Sequence, residues 1–172
     1  MTQLTRSLLI GFLLLSSVGC DQITKNLAQQ HLSMQPPLLW FYDTVRLEYA
    51  ENTGAFLSAG AGLSRESRTI LFQFLPGTFL LGLFLFLWRS RDGSVIWLTG
   101  WCLVLSGGIG NLWDRIAHDG SVIDFMNVGI GSLRTGIFNV ADFCITTGVV
   151  LILFESFRRS RPLGESTRSL GE

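Results

Sequence analysis

Two aspartates of this 172-residue chain lie where a carboxylate is hard to accommodate. Asp142 is near the start of an apolar run, 137–157, and Asp124 lies upstream of it in the sequence Val-Ile-Asp-Phe. A carboxylate in or beside hydrocarbon is costly, so ionisable residues at this depth mark functional sites. Two carboxyl groups that converge can divide acid and base roles, because like charges push their pKa values apart. The pair is a candidate for acid–base chemistry.

Among hydrolytic mechanisms, an aspartate pair fits the available residue types best. His31 and His118 are the only histidines, and neither a Gly-x-Ser-x-Gly turn nor a His-Glu-x-x-His motif occurs. A Ser/Lys dyad would have to use Lys25, the only lysine, for example with Ser58. An aspartate pair needs no metal or cofactor, since one carboxylate deprotonates water while the other, protonated, polarises the carbonyl. We therefore expect no cofactor and no metal site.

Asp114 is a competing carboxylate for this pair. It lies beside Arg115, whose positive charge would keep it ionised, and this suits a structural ion pair. Asp124 and Asp142 have no basic neighbour in the sequence. Spacing alone leaves open which two of the three form the pair.

Further polar residues cluster at the ends of the apolar runs. Asp21 and Lys25 are four residues apart in the order that favours a helical ion pair, which we interpret as structural, with a catalytic lysine as the alternative. Other polar positions are Asn52, Asn111, Asp114, Arg115 and Asn139. The spacing of the 111–115 group is i, i+3, i+4, which predicts one shared helical face. Asn52 opens a predicted Asn-Thr-Gly-Ala turn.

The elements that must position these residues are membrane helices. Hydrophobic residues make up 48% of the chain and charged residues 15%, and the mean hydropathy is +0.40. Four apolar segments have the roughly 20 residues needed to cross a bilayer: 7–28, 70–88, 95–113 and 137–157. Pro76-Gly77 should kink the second span without ending it. The predicted fold class is a membrane α-helical protein with four transmembrane helices in a single domain, 1–172.

Charge distribution predicts the orientation of these spans. Seven arginines precede the first span or follow the second and fourth: Arg6, Arg89, Arg91, Arg158, Arg159, Arg161 and Arg168. The positive-inside rule places them in the cytoplasm, with both termini and the tail, 158–172. The polar clusters then fall together at the outer ends of the spans. The net charge is zero, so no nucleic-acid partner is implied.

The external segments are predicted to support this outer polar site. Residues 38–50 read as one or two strands of a small sheet on the membrane surface, with Trp40, Phe41 and Tyr42 at headgroup level. Residues 116–136 read as a Gly-rich loop that carries Asp124. The glycines at 107–110 indicate close helix packing, since no strand–turn–helix context for a dinucleotide loop surrounds them.

Two readings from other classes compete with an enzyme. A small transporter or proton-relay subunit would also place carboxylates and Arg115 around a polar cavity, although near the membrane midplane rather than at one face. The sequence before Cys20 is similar to a secretory signal that ends in a lipidation site, but Ser17 occupies the position three before the cysteine. We interpret this segment as a membrane span.

Taken in order, the polar motifs resemble those of the lipoprotein signal peptidase family, also called signal peptidase II. The motifs are Asp21-x-x-x-Lys25, Asn52-Thr53-Gly54-Ala55, Gly110-Asn111-x-x-Asp114-Arg115, Val122-Ile123-Asp124-Phe125 and Phe138-Asn139-x-Ala141-Asp142. They cover most of residues 8–157 together with the four spans. A single Ala follows Gly54 where many members have two, and the motif stays readable.

The resemblance implies an aspartyl endopeptidase of the bacterial inner membrane, with a β-cradle on the periplasmic side. Such enzymes remove signal peptides from prolipoproteins, cutting before the diacylglyceryl-modified cysteine, and are inhibited by globomycin. By motif, it implies that Asp124 and Asp142 are catalytic. It implies substrate contacts at Asn52, Asn111, Arg115 and Asn139, and framework roles for Asp21, Lys25 and Asp114. The partners implied are prolipoproteins and membrane lipid, and the arrangement is compatible with a monomer.

Overall fold

A computed structural model describes residues 2–54, 60, 62–90 and 93–160. Within them, four helical stretches are long and apolar enough to cross a membrane: Gln3–Leu32, Arg65–Arg89, Val95–Ala117 and Val140–Ser160. A small antiparallel sheet accompanies them, which confirms the predicted fold class. Ser58, Arg91 and the tail beyond residue 160 lie outside the described residues.

Helix α1 (Gln3–Leu32) and helix α4 (Val95–Ala117) both extend past their predicted apolar runs. Each begins at a hydroxyl cap, since Thr2 accepts a hydrogen bond from the Thr5 backbone N–H and Ser94 accepts one from Trp97 N–H, both at 3.2 Å. Helix ends are set by such local capping, whereas hydropathy marks only the part suited to hydrocarbon. The extension of α4 carries Asp114 and Arg115 inside a regular helix.

The second span is built from three continuous pieces. A short helix, α2 (Arg65–Thr69), leads through a π-helical turn (Ile70–Phe74) into α3 (Leu75–Arg89). Pro76 has no backbone N–H and lies in the first turn of α3, and the π turn next to it is closed by a bond from Leu75 N–H to the Ile70 carbonyl. The span continues past the proline, as predicted.

The sheet has the order β1-β2-β3-β4, with antiparallel neighbours. Its strands are β1 (Leu38–Trp40), β2 (Val45–Asn52), β3 (Val122–Ile130) and β4 (Leu133–Arg134). Strands β1 and β2 confirm the prediction for 38–50. Trp40, Phe41 and Tyr42 are exposed around the turn between them. One side of the sheet packs on the C-terminal end of α1 through Ala28, Leu32 and Phe125.

The loop predicted over 116–136 is wrong for its central part, because β3 and β4 occupy it. Asp124 lies on β3 and pairs with Ala50 of β2. Residues 122–125 are all buried, so this end of the strand lacks the alternation of apolar and polar residues that reveals a half-exposed strand. A strand holds Asp124 more rigidly than a loop would, because its backbone is hydrogen-bonded to its neighbours.

Helix α5 (Val140–Ser160) packs against α4 through glycines. A Cβ atom at Gly107 would lie 2.3 Å from the Ala141 carbonyl oxygen, and one at Gly148 would lie 2.5 Å from the Gly100 carbonyl oxygen. Backbone cannot yield at such distances without moving a whole helix. The glycines of α4 therefore serve close helix packing, as predicted.

Gly107→Ala is expected to lower the free energy of unfolding by about 1–3 kcal/mol, because the added methyl group forces α4 and α5 apart. Thermal unfolding in detergent micelles measures this. Gly11→Ala is the matched control, since a Cβ there meets nothing within 4 Å and alanine favours helix over glycine by up to about 1 kcal/mol. Equal effects of the two changes would show that close packing at Gly107 is unimportant.

Candidate active site

A cavity of about 260 Å³ lies at the end of the bundle that carries the sheet, between the second span, α4, α5 and β3. Its polar lining residues are Asn52, Asn111, Arg115, Asp124 and Asp142. The remaining lining is apolar and includes Phe72 and Pro76. The two carboxylates among the described lining residues are Asp124 and Asp142, the pair singled out from the sequence. Asp114 does not line it and has no exposed surface.

Asp142 is held by the first turn of α5. Its Oδ2 accepts from the Asn139 backbone N–H at 3.2 Å, and the Asn139 side-chain oxygen accepts from the Asp142 N–H at 2.9 Å. This reciprocal pair is the capping-box arrangement, and it begins α5 at Val140 rather than at 137. The other carboxylate oxygen, Oδ1, accepts from Asn111 Nδ2 at 2.8 Å.

Asp124 projects from β3 into the same cavity. Its two oxygens accept hydrogen bonds from side-chain amides, Asn52 at 3.1 Å and Asn139 at 2.7 Å. The residue is only 3% exposed. Burial raises the pKa of Asp124 to about 6, and the nearby negative charge of Asp142 adds to the rise against the two amide hydrogen bonds. Asp124 therefore keeps its proton to a higher pH than an ordinary aspartate does.

Asn139 links the two aspartates from the protein interior, on the side away from the cavity. Its amide nitrogen contacts Asp124 Oδ1, the Asn111 side-chain oxygen at 3.1 Å and the Ile123 carbonyl at 3.2 Å, while its oxygen caps α5. The residue has no exposed surface and does not line the cavity. We therefore revise the expectation that Asn139 contacts substrate: every polar atom of its side chain is already used to hold the pair.

Arg115 connects the cavity to the surrounding loops. Its guanidinium donates to the Gly54 carbonyl at 2.7 Å and the Gly120 carbonyl at 3.0 Å, and it stands 5.2 Å from the centre of the Phe72 ring. Asn52, at the end of β2, accepts a hydrogen bond from Gly54 N–H at 3.0 Å, which forms the predicted turn. Ala55 of that motif lies outside the described residues. Arg115 thus connects the backbones at Gly54 and Gly120 to the cavity.

A buried ion cluster supports the cavity from the side of α1. Lys25 lies 2.8 Å from both Asp21 and Asp114, and donates to the Asn111 side-chain oxygen at 3.0 Å. Asp21 also accepts from the Ala141 N–H at 2.8 Å, so it caps α5 as well. Lys25 does not line the cavity, which agrees with the structural interpretation of this residue.

The predicted ion pair between Asp114 and Arg115 is wrong. Side chains of adjacent helical residues point about 100° apart, so the two charged groups do not face each other. Asp114 turns toward α1 and pairs with Lys25, and its Oδ2 also accepts the Ile123 backbone N–H at 3.1 Å. Arg115 turns toward the cavity. The shared face predicted for 111–115 therefore holds for Asn111 and Arg115 only.

Sequence reasoning missed Gln22, which closes the ion cluster. Its amide donates to Asp114 Oδ1 at 2.9 Å and to Asp21 Oδ2 at 3.2 Å. An amide beside an aspartate in a long apolar helix was the available signal. Phe72 was also missed, and an apolar residue in an apolar span carries no signal of its own. Among the described residues, no group of three or more His, Cys, Asp or Glu side chains could hold a metal ion.

Asp124→Asn is expected to change how stability depends on pH. The pKa of Asp124 is raised from an ordinary 3.8 to about 6, so the folded protein keeps a proton that the unfolded chain releases in this window. Stability is therefore lost as pH rises from about 4 to 6, and asparagine removes this loss, which amounts to about 3 kcal/mol at most. Unfolding free energies from pH 4 to 8 test this. A variant-minus-parent difference that does not grow between pH 4 and 6 would contradict it.

The fold and the cavity together define a class, the multi-pass membrane proteins in which two aspartates share a site suited to acid–base chemistry. The sequence profile described as signal peptidase (SPase) II matches residues 13–158. The chain therefore belongs to the signal peptidase II family, as its motifs predicted, and is a peptidase.

Curated relatives agree with this assignment, and a solved structure shares the fold. The lipoprotein signal peptidase of Chlorobium luteolum is 36% identical over 173 residues, covering 95% of this chain and 99% of that protein. The lipoprotein signal peptidase of Treponema denticola is 36% identical over 136 residues, covering 76% and 79%. A bacterial membrane enzyme solved by the in meso method at 2.3 Å has a similar fold, with a TM-score of 0.76, 23% identity and coverage of 93% and 94%.

Proposed function

We propose that this chain removes signal peptides from prolipoproteins, cutting before a diacylglyceryl-modified cysteine, with Asp124 and Asp142 as the catalytic pair. One observation carries the proposal: both carboxylates line a single cavity and are joined through Asn139. Family membership supports the reaction, because curated relatives are lipoprotein signal peptidases.

In the proposed mechanism, a water molecule between the aspartates attacks the carbonyl carbon that precedes the cysteine. Asp142 takes a proton from this water, and protonated Asp124 polarises the carbonyl oxygen and later protonates the leaving nitrogen. The raised pKa of Asp124 suits it to hold the shared proton. Replacement variants of the pair are the direct test of these roles.

The other cavity residues are proposed to hold the substrate. Asn52, Asn111 and Arg115 line the cavity and can orient the peptide backbone and the glyceryl ester region. Asn139, together with Asp21, Lys25 and Asp114, positions the pair without touching substrate. All the cavity-lining residues come from one chain, so a monomer suffices for the proposed catalysis.

We further propose that the chain lies in the bacterial inner membrane with both termini in the cytoplasm and the cavity facing the periplasm. The arginines at the inner ends of the second and fourth spans support this orientation, and Glu155 with Arg158 and Arg159 forms a charged cap at that end. Reporter fusions after residue 160 and in the β1–β2 turn test it. A periplasmic signal from the C-terminal fusion would reverse the orientation.

The proposed reaction is tested with purified protein in detergent micelles. A prolipoprotein carrying the diacylglyceryl cysteine should be cut, an otherwise identical unmodified precursor should be cut far more slowly, and globomycin should block cleavage. Mass spectrometry of the product locates the cut. No cleavage by the folded parent would favour a transporter or proton-relay role, and equal rates on both substrates would exclude recognition of the lipid.

A further inference from the structure

A groove between α3 and α4 lies outside the active-site cavity. Two adjoining hollows of about 330 and 390 Å³ form it. They share Gly77, Leu81, Leu112 and Ile116. The walls are almost entirely apolar and include the exposed side chains of Phe74 and Trp113. Such a surface in a membrane span suits a hydrocarbon chain.

The groove and the catalytic cavity lie on different sides of the second span. Phe72 and Pro76 face the cavity, whereas Gln73 and Gly77 face the groove. Leu112 of α4 lies at the contact between the helices and borders both, and a Cβ at Gly77 would come within 3.5 Å of its side chain. The packed seam between α3 and α4 therefore separates the groove from the aspartates.

At the outer end of the bundle the groove opens into a polar cup of about 140 Å³. Gln73 and Ile116 line both the cup and the groove, so the two are continuous. The charged residues of the cup are Arg65, Arg68, Arg115 and Asp119. Three guanidinium groups against one carboxylate leave the cup positive.

The cup has hydrogen-bond donors to offer an anion. Arg68 has a buried Nε that finds no hydrogen-bond partner among the described residues. Arg65 is paired with Asp119, but both side chains are at least 75% exposed, so this surface pair exchanges readily for another partner. Arg115 already donates to two backbone carbonyls and contributes mainly its charge. Arginine forks match the oxygens of a phosphate group.

We propose that this amphipathic cleft binds an anionic phospholipid, with its phosphodiester headgroup on Arg65 and Arg68 and one acyl chain in the α3–α4 groove. Basic pockets beside membrane helices bind such headgroups. From Gln73 to Phe84 the groove runs about 16 Å along the helix axis, which is about half of a hydrocarbon core and so the depth of one leaflet. The inference does not depend on the peptidase mechanism.

The first test is native mass spectrometry of the delipidated protein in neutral detergent, titrated with phosphatidylglycerol or phosphatidylcholine of the same acyl chains. Phosphatidylglycerol should bind about tenfold more tightly, because both lipids carry the phosphodiester but choline adds a positive charge that the positive cup repels. Arg65→Gln/Arg68→Gln should reduce its binding to the phosphatidylcholine level. Arg89→Gln/Arg159→Gln removes the same charge at the opposite end of the bundle and should leave the preference intact. Equal binding of the two lipids by the parent would overturn the proposal.

Two further arms identify the ligand. Leu81→Trp places bulk in the groove on an exposed position, so it should weaken phosphatidylglycerol severalfold without unfolding the protein. Displacement of the lipid by inorganic phosphate at similar concentration would show a free-anion site and overturn the proposal. Displacement by a diacylglyceryl-modified peptide would show that the groove belongs to the substrate, and would overturn it equally.

Discussion

Asp142→Asn and Asp124→Asn are each expected to reduce cleavage of a lipidated precursor by about 10³-fold or more, since each removes one partner of the proposed acid–base pair. Asparagine keeps the shape of the side chain and can still accept a hydrogen bond at the cap of α5. The loss should therefore fall on the chemical step and not on folding. Single-turnover cleavage at saturating enzyme measures it, beside circular dichroism and thermal unfolding.

Asp43→Asn is the matched control for these variants. Asp43 is an aspartate on the same side of the protein, outside the cavity, paired with Arg46 at 2.6 Å. Its replacement should leave the cleavage rate within a factor of two or so, as is usual for exposed ion pairs. Near-normal turnover by either cavity variant would refute the assignment of the pair. Loss in all three variants would point to a general effect of the substitution.

Lys25→Met is expected to cause the largest loss of stability in the described part of the chain, about 3–5 kcal/mol. It leaves the carboxylates of Asp21 and Asp114 facing each other in the protein interior, where all three side chains are at most 2% exposed. Methionine matches the length of the lysine stem, so packing is nearly preserved and the lost charge dominates. Thermal unfolding in micelles at pH 7 reports the effect.

The same variant should also lower the cleavage rate in the fraction that remains folded. Lys25 donates to the Asn111 side-chain oxygen, which leaves the Asn111 amide nitrogen directed at Asp142. Without the lysine, the amide of Asn111 is free to flip and misplace this hydrogen bond. Restoring the positive charge with Lys25→Arg should recover part of the stability but less of the activity, because a guanidinium is too large for this pocket.

Arg46→Met serves as the comparison for Lys25→Met. The Arg46–Asp43 ion pair is about one-third exposed, and solvent screens its charges. We expect it to contribute at most about 1 kcal/mol. If both methionine variants lost the same stability, burial of the Lys25 cluster would carry no special weight.

The two cavity aspartates lower the stability of the folded protein. A carboxylate that is 3% exposed and lies near a second carboxylate is less stable ionised than it would be in water. The surrounding asparagines compensate with amide donors, and the Lys25 cluster lies one layer behind them. The protein therefore holds the proposed catalytic pair at the expense of folding free energy.

Much of the fold was readable from the sequence because the signals are local. Apolar runs of bilayer length identified the four spans, and β-branched and aromatic residues indicated β1 and β2. The ends of the helices were less accurate, since Thr2 and Ser64 cap helices before the apolar runs begin, and Asn139 caps α5 inside its run. Strand β3 was missed, because its buried end lacks alternation.

Tertiary structure decided how the polar residues are divided between roles. Spacing left open which two of Asp114, Asp124 and Asp142 share a cavity, and adjacency suggested the wrong partner for Asp114. Contacts such as Asp21 with the N–H of Ala141 join residues 120 positions apart, and no local pattern encodes them.

By itself, the sequence determined the spans, the family and the residue types of the site, because span length, hydropathy and ordered motifs are properties of short segments. Only the folded chain decided that Asn139 is buried behind the aspartates, that Lys25 neutralises Asp114, and that a positive cup continues into the groove beside α3. Each of these depends on how helices pack, since packing alone determines which side chains lose water and which partners replace it.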